Sequence, residues 1–297
     1  MIMNQAPPKK ILVPVDFSKT AYKAFHHVKF LANKFSSEVT LIHVEEDWPY
    51  AGTFPFLVEP QLQDQSKHGK HILEKLTELK AELEEDGIAK VQIEYMQGNI
   101  AECIASYAES EKMDLVVMGT HGARGLTGFL MGSNAYKVVN FIDTPVLTVN
   151  EQAAFGPYKN IIAPLDDTRY SRAKFPYIVE MAVALEANVE VVYPIVSDPE
   201  KKNKIQKYFE QVSALMEAKN VKHVSRGVEG HFAHEVVKLA EYTNADLVVI
   251  MSDSDTTISN MLMGTFAHEV VNHCKVPVLT LHHDQGGDLM DTFAPVR

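Results

Sequence analysis

The stretch ILVPVDFS at residues 11–18 returns as IIAPLDDT at residues 161–168, and that recurrence decides how the whole chain is read. Pro14 stands over Pro164 and Asp16 over Asp166, a displacement of 150 residues. EVTLIHV, ending at Val44, returns at the same displacement as VEVVYP, ending at Pro194. Further along, MDLVVMG (113–119) matches ADLVVIM (245–251), and KVVNFIDTPVLTV (137–149) matches EVVNHCKVPVLTL (269–281), now displaced by 132 residues. The halves align at both ends, so the 18-residue difference is extra chain inside the first copy. It lies between Glu45 and Gln97, where DWPYAGTFPFLVEPQLQ (47–63) has the look of an insertion. Internal repetition of this kind has to be found first, because it sets the architecture.

Within each copy, short β-branched runs alternate with longer helical stretches. ILVPV, VTLIHV, VQIEY, LVVM and VLTV read as strands, several of them apolar at nearly every position, as parallel strands covered on both faces must be. Residues 20–35, 67–85, 100–111 and 133–141 read as helices. Strands alternating with helices specify an α/β fold with a doubly wound parallel sheet and right-handed crossovers. A chain of 297 residues is long enough for two such Rossmann-like domains of about 150 residues, each with its own core. The expected division is 1–150 and 151–282, followed by a polar, mobile tail at 283–297.

Bulk composition narrows the function. A formal net charge of -11 argues against nucleic acid or an anionic membrane as partner, since either would repel the chain. The opening MIMNQAPPKK has no apolar leader, and nowhere do about 18 apolar residues run together, so a cytoplasmic protein is expected. Two cysteines, Cys103 and Cys274, make no disulfide framework or zinc ribbon. The histidine pairs His26-His27, His68 with His71, and His282-His283 lack further ligands at zinc spacing and read as solvated side chains rather than a metal site.

In a doubly wound sheet, ligands sit outside the carboxyl ends of the strands. The first copy brings there Pro14-Val15-Asp16, the end of the second strand at Val44, and a strand that runs from Met118 into GTHGARGLTGFLMGSN. Glycines permit positive φ and let the backbone approach a phosphate with no Cβ in the way. A Gly-Ser at a helix start adds a hydroxyl and free amides where the helix dipole favours an anion. The same residues also suit a flexible surface loop closed by an ordinary cap.

The spacing Gly119-x₂-Gly122-x₉-Gly132-Ser133 resembles the G-x₂-G-x₉-G-[ST] signature of the ATP-binding class of universal stress proteins, and PVDFS, LIHV, the D-LVVMGTHG entry and TPVLTV resemble further elements of that family. The resemblance covers about residues 9–150 and 158–282. It implies adenine nucleotide alpha hydrolase-like domains, each with a five-stranded parallel sheet, joined through their last strands as an internal pseudo-dimer; a further homodimer of the whole chain is compatible with it. It further implies ATP as ligand, with any Mg²⁺ held through the phosphates. Asp16 and Val44 would lie against adenine with Pro14 and Val15 beside them. Met118, Gly119, His121 and Gly122 would border ribose and phosphates, and Gly132, Ser133 and Asn134 would take the phosphate end, with Arg124 able to add a positive charge.

The sequence offers no Walker-type lysine loop, nucleophile elbow or H-E-x-x-H pair, so no catalytic residue is assigned and any hydrolysis is expected to be slow. In the second copy Met251 and Ser254 replace two of the glycines, Asp253 and Asp255 bring carboxylates, and only Gly264-Thr265 survives. That half reads as a degenerate domain supporting the fold. The rival functions are a slow ATPase or autophosphorylating protein, and a nucleotide-independent binder acting through the insertion that carries Trp48, Pro49, Tyr50, Phe54, Pro55 and Phe56.

Overall fold

A computed structural model describes residues 6–46, 58–120, 131–252 and 265–282, the side chains of 58–68 and Arg169 excepted. The apolar runs of the first half form β1 (Lys10–Pro14), β2 (Glu38–Glu45), β3 (Val91–Gln97), β4 (Leu115–Gly119) and β5 (Val146–Val149). Between them lie α1 (Lys19–Phe35), α2 (Val58–Glu85), α3 (Ile100–Ser110) and α4 (Ser133–Phe141). The second half repeats the order with β6 (Asn160–Pro164), α5 (Arg169–Ala173), α6 (Phe175–Leu185), β7 (Asn188–Pro194) and α7 (Pro199–Ala218). It continues through β8 (His223–Val228), α8 (Phe232–Tyr242), β9 (Leu247–Met251), α9 (Thr265–His273) and β10 (Val278–Leu281).

All ten strands belong to one sheet in the order β3-β2-β1-β4-β5-β10-β9-β6-β7-β8. Every pairing inside a half is parallel, as the continuous apolar runs require. The join is antiparallel, with Thr148 opposite Val278, Leu147 opposite Leu279 and Val146 opposite Thr280. Strand alternation sends Ile11 and Val13 to one face and Leu12 to the other. The first face is covered by α1, α2, α6 and α7 and the second by α3, α4, α8 and α9, so each core layer runs through both halves. The internal pseudo-dimer is thus one continuous structure.

Two expectations need correction, and one helix differs between the halves. Helix α2 starts at Val58 rather than near residue 67, and it has 28 residues against 20 in its counterpart α7. Part of the extra chain is therefore helix, although its aromatic portion, Trp48 to Phe56, lies outside the described residues. The helix after β6 is broken where α1 is continuous. Pro176 has no N–H to donate one turn back, and Lys174 stands between α5 and α6. His27, read from sequence as solvated, is 2% exposed, because it occupies an inward position of α1 among Ala24, Val28 and Leu31.

His27 marks the junction between halves. Its Nδ1 lies 2.6 Å from the Tyr158 hydroxyl, and its ring also meets Phe155. Both partners come from the segment linking β5 to β6, which packs tightly here: Tyr158 is 1% exposed and takes a left-handed φ of 53°. Asn150 of the same segment donates to the Cys274 carbonyl of the other half. The tail expected at 283–297 lies outside the described residues.

Burial, helped by the charges of Lys23 and His26, pushes the His27 imidazole down to about 4 from 6.5. The folded chain therefore holds it neutral while the unfolded chain begins to protonate below pH 6.5, so stability falls between pH 6.5 and 4. Urea denaturation should show wild type losing about 2–3 kcal/mol more than His27→Gln between pH 7 and pH 4.

Candidate functional site

β1 and β4 are neighbours, but their ladder covers only Ile11 with Leu115 and Leu12 with Val116. Chain direction across the sheet reverses between these two strands, since β1 connects outward to β2 and β3 while β4 connects to β5. Strands that separate at such a switch point leave a crevice at their carboxyl ends. Pro14, buried Val15 and exposed Asp16 stand on one side of it, and buried Met118 with Gly119 on the other. Val44 lies one strand further out and is half-buried on the α3/α4 face.

The chain leaves this edge at Thr120 and returns at Gly132, and the two points are tied together. The Thr120 N–H donates to Val149 O (2.9 Å), and the Thr120 carbonyl accepts from Gly132 N–H (2.7 Å). Gly132 is the N-cap of α4 and gives it no side-chain cap, so the amides of Ser133 and Asn134 begin the helix with no hydroxyl or carboxylate from that position. Just before it, Met131 N–H donates to Asn272 Oδ1 of α9 (2.7 Å), so the second half holds the returning end of the loop. His121, Gly122 and Arg124 lie outside the described residues.

The structure changes the reason for the glycines. Neither Gly119 nor Gly132 adopts positive φ; Gly132 has φ -61°. At Gly119 the constraint is space, because a Cβ would lie 2.6 Å from Thr20 Oγ1 and 2.8 Å from the Thr20 carbonyl carbon. The residue lets the first turn of α1 press onto the end of β4. Ser18 fixes that turn by accepting the Ala21 N–H at its Oγ (3.1 Å), and it also bonds Thr20 Oγ1 (3.1 Å). Thr20, Thr120 and Asn272 went unnoticed in the sequence; no motif marks them, since their roles come from contacts between distant segments.

The second half has larger side chains at two equivalent positions. Met251, 7% exposed, occupies the Gly119 position, and Lys174 occupies the position of Ala24. The Lys174 amine is buried and donates to Ser171 O (2.6 Å) and to Pro164 O at the end of β6. Asp166 accepts from the Thr168 backbone N–H (2.8 Å) and hydroxyl (2.6 Å), which turns its carboxylate into the local loop. Asp253, Asp255 and Gly264 lie outside the described residues.

Comparisons with known proteins agree with the repeat. The model of the universal stress protein family matches residues 7–150 and again 157–282. Universal stress protein MJ0531 of Methanocaldococcus jannaschii is 34% identical over 148 residues, covering 48% of this chain and 82% of that protein. A universal stress protein of Mycolicibacterium smegmatis is 25% identical over 298 residues, covering 94% of this chain and 99% of its own. Among solved structures, a universal stress protein from Archaeoglobus fulgidus superposes with a TM-score of 0.73 at 15% identity, over 93% of this chain and 99% of that one. One from Pseudomonas aeruginosa gives 0.67 at 18%, over 97% and 96%. At these identities the two structures speak for the fold alone.

Burial holds the Lys174 amine down at about 7, against a smaller opposing pull from Asp166. Its neutral form is favoured in the folded state, so the penalty is full below pH 7 and disappears as pH rises toward the unfolded value of 10.5. Lys174→Met should therefore change stability by about 2–4 kcal/mol more in the favourable direction at pH 6 than at pH 10, measured by denaturant unfolding at both.

Proposed function

This chain belongs to the universal stress protein family as two consecutive copies of its domain, and from that premise we propose that the first half holds ATP while the second serves as its degenerate structural partner. Membership of the family supports a role in stress response. The division we take is 1–150 for the nucleotide-holding domain and 151–282 for its partner. Among the described residues no helix is long and apolar enough to cross a membrane. A cytoplasmic setting is part of this reading.

One observation carries it: the Thr120–Gly132 hydrogen bond sets a helix start with no side-chain cap beside Gly119, at the crevice where β1 and β4 part. Backbone amides at a helix N-terminus suit a polyanion, because they donate without a counter-charge and the helix dipole adds to them. Ser133 is exposed there and Asn134 half-exposed, so both can reach a phosphate oxygen. Pro14, Val15, Asp16 and Val44 would receive the base, Met118 and Gly119 the sugar, and His121, Gly122 and Arg124 the phosphates from the intervening loop. Magnesium would be carried by the phosphates. None of these groups is a nucleophile paired with a base, and the reading is one of holding ATP with slow turnover at most.

In the second half Met251 and Ser254 replace two of the three glycines, which supports leaving the nucleotide out of that half. Calorimetric titration should find one ATP per chain. Gly132→Val should weaken binding by at least about tenfold by blocking backbone approach, whereas Gly264→Val should leave it within about twofold. A chain that loses ATP through the change at Gly264 instead would place the nucleotide in the wrong half for this reading.

A further inference from the structure

The turn between β1 and α1 is held from one side by a stack of rings. Val15 is tied to β2 at both of its backbone groups: its N–H donates to Ile42 O (2.8 Å), and its carbonyl accepts from His43 Nδ1 (2.6 Å). A carbonyl can only accept, so that ring nitrogen carries a proton. The next residue but one, Phe17, adopts φ 60°, a left-handed conformation that costs a bulky side chain about 1–2 kcal/mol and persists only where surroundings impose it. The Phe17 ring lies against His43 with centroids 5.4 Å apart, and the Lys75 ammonium of α2 sits 5.1 Å from its centre. The His43 ring is also parallel to Tyr95 of β3 (6.1 Å, 7°), whose hydroxyl donates to the Glu45 carboxylate.

His43 is therefore held by two ring neighbours and by the hydrogen bond of its Nδ1. The residue between its two targets is Asp16, which is exposed at the carboxyl edge, with Oδ1 accepting the Ser18 N–H (3.0 Å). The second half keeps the backbone bond, with Leu165 N–H donating to Val192 O (2.7 Å), and the bond from the Thr168 N–H to Asp166, but not the rings. Asp167, Tyr193, Ile195 and Gly227 occupy the positions of Phe17, His43, Glu45 and Tyr95, and Asp167 is not left-handed. In place of the rings, Ser171 Oγ donates to Asp166 O (3.1 Å). Only the half with the glycine spacing carries the ring clamp.

We infer that His43 is a positioning residue that fixes Asp16 for recognition of the adenine base, an inference that rests on the ATP reading of the first half. A carboxylate presents only acceptors, which match the exocyclic amine of adenine and oppose the carbonyl that guanine has at the same place. Selectivity of that kind needs the carboxylate held still, since a turn free to swing would satisfy either base through water.

The test compares His43→Leu, which removes the donor, with His43→Asn, whose side-chain amide can still reach the Val15 carbonyl. Dissociation constants for ATP and GTP are read beside the backbone amide shifts of Asp16 and Phe17 in nucleotide-free protein. His43→Leu should displace those two resonances and reduce the ATP preference over GTP by about tenfold, and His43→Asn should restore most of both. If His43→Leu does not fold, Phe17→Gly, which removes the ring and relieves the left-handed position, should reduce the preference in the same way. An unchanged ATP to GTP ratio in folded His43→Leu or Phe17→Gly, or a loss as large in His43→Asn, overturns the positioning role alone. Wild-type protein without ATP affinity overturns the nucleotide reading and this inference together.

Discussion

The antiparallel pairing of β5 with β10 is the constraint on which the remaining architecture depends. Each half ends its sheet on a four-residue strand that is buried at every position. Left alone, such a strand would expose a row of unpaired amides and carbonyls beside an apolar surface. Pairing the two satisfies both edges at once and merges two five-stranded sheets into one of ten. It also places Leu31 with Met181, Leu115 with Leu247, and Leu147 with Leu279 in one apolar layer across the junction. Each such side chain removed from water contributes roughly 1.5–3 kcal/mol. His27, Tyr158 and the linking segment close over that layer.

The same pairing has a geometric consequence for ligands. Strands are parallel within each half and antiparallel across the join, so the carboxyl ends of the first half's strands point opposite to those of the second. The two crevices open on opposite edges of the sheet and cannot share one ligand. Each was free to diverge, and they have. The first keeps Gly119 so that Thr20 can close on it, and builds its turn from Phe17, His43 and Tyr95. The second has Met251 and Lys174 at the positions of Gly119 and Ala24 and splits its helix at Lys174, just ahead of Pro176. Yet the second half is not passive, because Asn272 holds the amide of Met131 at the entrance to α4.

Much of the fold could be read from residue order. The two displacements and the apolar strand runs led to two doubly wound parallel halves, and the family resemblance implied the join through their last strands. Where the reading went astray, the cause was local pattern without tertiary context. A histidine at a helix position flanked by His26 looks solvated until the neighbouring linker is seen to lie over it. The start of α2 was missed because Pro60 and the polar residues that follow it, Gln61 to Ser66, show little apolar periodicity.

For the candidate site, sequence determined the residue types and their spacing: glycines at 119, 122 and 132, a serine after the last, an aspartate after β1, and the loss of that set from the second half. Those are one-dimensional facts, and they survive any rearrangement of side chains. Only the tertiary structure decided why Gly119 must lack a side chain, which nitrogen of His43 is protonated, and that Asn272 from the other half supports the loop. Each of these depends on atoms tens to more than a hundred residues apart being brought within hydrogen-bond or van der Waals distance. Contacts of that kind are set by the closure of the sheet, and no local pattern in the chain records them.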